Sequence, residues 1–383
     1  MKTNLNEKTL TIYLEGRIDS NNAADIEKEI DGIIEENDFE SLVLDADKLD
    51  YISSAGLRII LRLKKANDSL KIINVSSEVY EIFEMTGFSE IMDVEKAFRK
   101  LSIEGCEIIG QGANGKVYRI DPETIIKVYN DPDSLPDIKR ERELARKAFV
   151  LGIPTAIPYD VVRVGDGYGS VFELLNAKSF AKLIDEDPDN KDEIIERYID
   201  LLNTIHGTEV NDGDLPDMKD VALGWATDLV DELPGDYGQK LVDQIENIPR
   251  NNHMMHGDYH IKNVMMQNDE ALLIDMDTIC VGDPVFELAS MFNAYVGFGS
   301  CQASNVEDFL GLPYATTNYI WDKCLELYCK DKTEEEMNVL KAKAEMIGYA
   351  RILRRTLRRD RDPELIDFCK KQIMSDLDYL EDK

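Results

Sequence analysis

Over residues 8–16 apolar side chains fall on alternate positions, Leu10, Ile12 and Leu14, which predicts a half-buried strand. The period then changes. Ile26, Ile30, Ile33 and Ile34 share one face of a helix over 22–36. SLVLDAD (41–47) reads as a second core strand, and Leu57, Ile60, Leu61 and Lys64 follow helical spacing. LKIINV (70–75) is a third buried strand, followed by a helix marked by Val79, Ile82 and Phe83. Strands alternating with helices predict a small α/β domain over residues 1–100. A boundary is expected near 98–105. Beyond it, short strands dominate at first: EIIGQ (107–111), KVYRI (116–120) and TIIKVY (124–129). A helical pattern opens at IKREREL (138–144).

Two stretches of the second region carry chemistry. HGDYHIKN (256–263) and LLIDMD (272–277) place Asp258, Asn263 and Asp275 in order. Phosphoryl transfer asks a protein for an acceptor hydroxyl held in line, magnesium on the phosphates and positive charge nearby. Asp258 suits a proton acceptor. An amide oxygen (Asn263) and a second carboxylate (Asp275) suit a hard, oxygen-seeking cation. Leu272, Leu273 and Ile274 form an apolar strand that would carry Asp275 into a cleft. Upstream, Gly110, Gly112 and Gly115 have G-x-G-x-x-G spacing. A strand rather than a helix follows them, which predicts a hairpin over phosphates rather than a dinucleotide fold. Lys127 alternates with apolar neighbours on the third strand, and Glu141 on the following helix is its expected partner.

This order resembles the aminoglycoside phosphotransferase and choline kinase-like family, the small-molecule branch of the protein-kinase fold. The resemblance covers about residues 105–300. It implies a bilobal α+β domain over 101–383, with an N-lobe at about 105–175 and a C-lobe at about 176–383. It implies ATP and Mg2+ as cofactors, with Gly110, Gly112, Gly115 and Lys127 on the nucleotide, Glu141 holding Lys127, and backbone near Leu175 and Ala177 on adenine. Asp258 would be the catalytic base, and Asn263 and Asp275 the metal ligands. Protein kinases read H-R-D and D-F-G; this chain reads His256, Gly257, Asp258 and Asp275, Met276, Asp277. The missing arginine favours a small-molecule hydroxyl over a protein substrate. Glu287 stands where the family often has Asp, bracing the catalytic loop. A serine protein kinase, and a regulatory module that only senses nucleotide, are the rival readings.

LDYISSAGLRIIL (49–61) and GRIDSNNA (16–23) resemble the STAS domain of anti-sigma factor antagonists. The resemblance implies a protein partner and a phospho-acceptor serine at Ser54; Ser53 takes the position where many members carry Asp. A phosphate at a helix start meets free N–H groups. The alternative is that these serines merely cap the helix.

Composition narrows the partners. The formal net charge of −32 opposes binding to nucleic acid or anionic membrane through a basic surface. Six scattered cysteines without C-x-x-C spacing, and no long apolar run, predict reduced thiols and a cytoplasmic protein. His253, His256 and His260 crowd into eight residues. Structural zinc sites recruit cysteine or a second spaced pair, so these are read as loop residues, with His256 holding backbone geometry. His206 is read as a helix-end residue. Asp185, Glu186, Asp187, Asp228, Asp231 and Glu232 would suit a cationic acceptor such as an aminoglycoside or choline. The basic island GYARILRRTLRRDRD (348–362) is expected to pair with acidic helices of its own lobe or to meet an anionic partner.

Overall fold

The computed structural model describes residues 1–112, 115–359 and 362–383. The chain separates into two compact units. One is Met1–Ser102 with the short stretch Val162–Gly165; the other is Ile103–Val161 with Asp166–Lys383.

The first unit runs β1 (Lys2–Asn6), β2 (Thr9–Ile18), α1 (Ala23–Glu36), β3 (Ser41–Ile52), α2 (Ser54–Ala66), β4 (Lys71–Val75), α3 (Ser77–Met85), α4 (Phe88–Ile91) and β5 (Asp93–Lys96). The sheet order is β1-β2-β3-β4-β5. β1 pairs antiparallel with β2, and the other pairs are parallel. Parallel neighbours need crossover connections, which the helices between them supply. Leu10, Ile12, Leu14, Leu42, Leu44 and Ile72 fill the core, each contributing about 1.5–3 kcal/mol by burial. β3 runs five residues past the 41–47 expected for it. Leu49 and Ile52 are buried, and after a register shift the strand still pairs with β2, through Ile18↔Ile52.

From Glu107 the chain runs β6 (Glu107–Gln111), β7 (Gly115–Arg119), β8 (Thr124–Tyr129), α5 (Leu135–Val150), β9 (Pro158–Val164) and β10 (Gly167–Glu173), giving a sheet of order β6-β7-β8-β10-β9. Residues 174–177 then lead to β11 (Lys178–Ser179) and a helical region: α6 (Phe180–Glu186), α7 (Lys191–His206), α8 (Met218–Asp228) and α9 (Tyr237–Glu246). Four short strands frame the chemistry-bearing loops: β12 (Met254–Met255), β13 (Val264–Gln267), β14 (Glu270–Leu273) and β15 (Cys280–Val281). The chain closes with α10 (Val285–Tyr295), α11 (Ser304–Leu310), α12 (Tyr314–Tyr328), α13 (Glu334–Arg358) and α14 (Pro363–Glu381). Leu144, Ala145 and Ala148 of α5 share one apolar core with Leu273 and Met276. That packing fixes α5, and with it Glu141, against the segment that carries Asp275. Among the described residues no helix is long and apolar enough to cross a membrane, and all six cysteines are free.

Candidate active site

Lys127 lies mid-strand on β8, paired in register with Val117 and Ser170. Alternation puts Tyr129 on the same face. Glu141 sits one turn and a half into α5 and is buried. Lys127 Nζ lies 2.9 Å from Glu141 Oε1 and 3.0 Å from Asp275 Oδ1. The Tyr129 hydroxyl donates to the other oxygen, Glu141 Oε2. Burial alone would lower the lysine's pKa, but the charges of Glu141 and Asp275 reverse that and raise it, so the ammonium stays charged. Gly115 is required by packing: a Cβ there would stand 2.2 Å from Val128 O on the neighbouring strand. A Cβ at Gly112 would meet nothing within 4 Å. Ala113 and Asn114, between those glycines, lie outside the described residues.

Asp275 lies two residues beyond the end of β14 and adopts a left-handed backbone, φ 62° and ψ 63°. For a residue with a Cβ this conformation costs about 1–3 kcal/mol and tends to mark functional sites. Asp277, two residues on, is pushed up to about 6 by burial and then by the neighbouring Asp275 charge.

The 256–263 loop joins β12 to β13 and is held from several sides. The Glu287 carboxylate, buried on α10, accepts the backbone N–H groups of His256 (2.5 Å) and Gly257 (3.0 Å). Burial nevertheless pushes it up to about 7. His256 Nδ1 accepts the Asp258 N–H at 3.3 Å, so its Nε2–H donates to Ile274 O at 3.1 Å. The Thr278 hydroxyl donates to His256 O at 2.8 Å. Beneath the loop, the Tyr198 and Tyr295 hydroxyls meet Tyr259 O and Ile261 N at 3.0 Å each. Gly257 has φ +83°, and a Cβ would stand 2.3 Å from Thr278 O. The glycine that replaces the arginine of H-R-D is therefore a geometric requirement of this loop.

Asp258 is half-buried, with His260 Nε2 3.4 Å from its Oδ2. Burial would raise its pKa; the hydrogen bond from His260, then the charges of His260, His256 and Arg351, outweigh that and hold it below the ordinary value. It is an ionised carboxylate at neutral pH. The Asn263 Nδ2–H donates to Asp258 O at 3.1 Å, which leaves Oδ1 to accept from another partner. Leu175 and Ala177 lie in the loop between β10 and β11, both half-buried. His206 ends α7, buried, with Nδ1 2.9 Å from the Tyr328 hydroxyl.

Among the described residues no three His, Cys, Asp or Glu side chains are grouped to hold a metal. The oxygen set of Asn263 and Asp275 nonetheless fits magnesium, which takes one or two protein ligands and completes its shell with phosphates and water. The raised Asp277 beside Asp275 marks a surplus of negative charge that a divalent cation would relieve.

Tyr129, His260, Arg351 and Ser290, whose Oγ donates to Gly257 O at 3.0 Å, join this site without having been assigned to it from sequence. The same-face spacing of Lys127 and Tyr129 was a usable signal. The acidic residues read as a cation site are largely spent elsewhere. Glu186 pairs with Lys178, Asp185 with Lys182, Glu232 with Lys370, and Asp228 with Arg354 and Arg358. Asp187 and Asp231, the other two of the six, have no basic partner among the described ion pairs.

A family model described as the phosphotransferase enzyme family matches residues 105–313, and the STAS domain model matches residues 1–102. The Bordetella bronchiseptica protein BtrV, assigned as an anti-sigma factor antagonist, is 36% identical over 89 residues, 22% of this chain and 76% of its own length. Among solved structures, the streptomycin–ATP ternary complex of APH(2")-IIa aligns with 16% identity over 78% of this chain and 99% of its own, at TM-score 0.48. ADP-bound aminoglycoside phosphotransferase APH(2'')-Ib gives 15%, 78%, 98% and 0.47. A choline/ethanolamine kinase family protein from Mesorhizobium loti gives 12%, 73%, 92% and 0.47. The chain belongs to the phosphotransferase enzyme family, with a STAS domain preceding the kinase-like domain in sequence.

Proposed function

We propose that this protein transfers the γ-phosphoryl group of ATP to a hydroxyl of a small molecule. The observation that carries the reading is Lys127, held between Glu141 and Asp275, in the same unit as an ionised Asp258 on a braced loop. Lys127 would take the α- and β-phosphates, and the backbone near Leu175 and Ala177 would take the adenine. The acceptor O–H gives its proton to the Asp258 carboxylate as its oxygen bonds to the γ-phosphorus. The bond from that phosphorus to the bridging oxygen breaks, and ADP leaves. Magnesium held by Asn263 and Asp275 would neutralise phosphate charge. Gly257 supports a small acceptor, since the loop has no arginine of the kind that reads a phosphorylated activation segment.

The STAS domain is read as a docking site for a protein partner, with Ser54 as its phospho-acceptor. Ser54 is exposed at the first position of α2, while Ser53 caps that helix by accepting the Ala55 N–H at 3.2 Å. The test of the main reading is a screen of hydroxyl compounds with ATP and magnesium. Each is scored by ADP release and by a product heavier by one phosphoryl group. Transfer to water or to serine residues of added proteins, with none to small hydroxyls, would refute it.

A further inference from the structure

We infer that the acceptor is a small hydroxylated oxyanion whose charged group is received by Arg351 and Arg355 beside Asp258; this rests on the phosphoryl-transfer reading above. On α13, Arg351, Arg354, Arg355 and Arg358 share one helix face but differ in their partners. Arg354 Nε and Arg358 Nη2 reach Asp228 Oδ2 at 2.5 and 2.7 Å. Asp360 and Arg361 lie outside the described residues. Arg351 and Arg355, four apart and so on one face, have no carboxylate within 4.0 Å among the described residues. Their neighbours on the same face, Arg354 and Arg358, do meet a carboxylate, so Arg351 and Arg355 are the two of the four left to a ligand.

Arg351 lies by the catalytic loop, and Arg355 follows one turn further along α13. Arg351 is half-buried, and its Nη1 donates to Ser290 Oγ at 3.2 Å. Ser290 Oγ donates in turn to Gly257 O at 3.0 Å, one residue from Asp258. The Arg351 guanidinium carbon lies 5.5 Å from the centre of the Trp225 ring, and that of Arg355 lies 5.2 Å from the centre of the Phe298 ring. Stacking of this kind steadies a guanidinium while leaving its edge donors for a ligand. Burial lowers the pKa of Arg351 and the Asp258 charge counters it, as expected of neighbours.

A guanidinium fork matches carboxylate and phosphate oxygens in two-point contact. A cationic acceptor would meet like charge here, and four of the six acidic residues that might have welcomed it, Asp185, Glu186, Asp228 and Glu232, are already paired. The acceptor class is therefore an alcohol bearing a carboxylate or a phosphate. Its anion would sit on Arg351 and Arg355 while its hydroxyl gives a proton to Asp258 and bonds to the γ-phosphorus.

The test uses the full chain with ATP and magnesium against four panels. These are hydroxy acids (glycerate, gluconate), phosphorylated polyols (glycerol phosphate, ribose phosphate), neutral polyols (glycerol, ribose) and cations (choline, kanamycin). Initial rates and product masses are read. Turnover confined to one anionic panel, or strongest there, is expected, and which panel responds distinguishes carboxylate from phosphate. Arg355→Gln, at an exposed position, should raise the acceptor KM about tenfold or more and leave the KM for ATP unchanged. That is about 1.4 kcal/mol per tenfold. Arg351→Lys should behave alike if the fork matters. Equal or better turnover of choline, kanamycin or neutral polyols overturns the inference. So does a fall in kcat shared by all acceptors with no change in KM, which would assign Arg351 only to bracing the loop through Ser290. If no panel is phosphorylated, the transfer reading fails separately. Calorimetry of glycerate and glycerol phosphate on protein saturated with magnesium AMP-PNP then decides the anion site. Binding lost in Arg355→Gln supports it; no binding to the unaltered protein overturns it.

Discussion

Asp275 is tied to Lys127, a partner 148 positions away on the N-lobe sheet, whereas Asp258 is set by histidines of its own short loop and by a carboxylate on the next helix. The two centres answer to different parts of the molecule. The Asp275 side depends on how β8, α5 and the segment after β14 meet, and its carboxylate is shared with an ammonium that phosphates would also claim. The Asp258 side is built before any ligand arrives: its carboxylate is ionised, its backbone carbonyl is held by Asn263, and its neighbouring glycine has no spare room. The difference separates binding from chemistry. Substitutions around Lys127 and Asp275 should act on nucleotide affinity, and substitutions around Asp258 on the rate of transfer.

The largest effect expected on the binding side comes from Asp275→Ala, which should abolish magnesium-dependent nucleotide affinity while leaving the melting temperature near that of the unaltered protein. Calorimetric titration with and without magnesium reads this; unchanged magnesium dependence would detach Asp275 from the metal. On the loop side, Gly257→Ala adds a Cβ 2.3 Å from Thr278 O in a left-handed backbone. A loss of about 1–3 kcal/mol in stability is expected, measured by denaturant unfolding, together with a lower kcat. An unaltered midpoint and rate would show that the loop has freedom the geometry denies.

A pH effect should distinguish the two centres further. Asp277 is raised to about 6, so its contribution to stability is full below its unfolded value near 4 and is lost as pH rises through about 6. A divalent cation favours the ionised form, so metal–nucleotide affinity should weaken as pH falls below about 6. Asp277→Asn should flatten that dependence; if the slope persists, another group is responsible. The smallest kinetic change expected is Tyr129→Phe, which removes one hydrogen bond to the buried Glu141 carboxylate while Lys127 still pairs with it. It should raise the KM for ATP and spare kcat, and an effect on kcat alone would place Tyr129 on the wrong side of the comparison.

The loop chemistry was legible because its residues are close in sequence: HGDYHIKN carries both its polar groups and their spacing. Lys127 was legible through strand alternation, since a charge amid apolar neighbours on a central strand needs a partner. Arg351 was not. Periodicity puts Arg351, Arg354, Arg355 and Arg358 on one face, and only tertiary packing decides that Asp228 takes Arg354 and Arg358 while Arg351 turns to Ser290, 61 positions away. The same gap explains the acidic residues taken for a cation site, whose partners are set by packing that composition does not reveal. β3 ran long because its register with β2 resumes after a shift, and a shift of that kind breaks the alternation by which strands are read.

The central claim is that Asp258 accepts the acceptor's proton during transfer. It is tested most directly by comparing the unaltered protein with Asp258→Asn under single-turnover conditions, following the γ-phosphate of ATP into the acceptor found in the screen. The account predicts nucleotide affinity within a few-fold of the unaltered protein and a transfer rate lower by on the order of 10²–10⁴. A variant that binds ATP and still transfers at most of the original rate would contradict it.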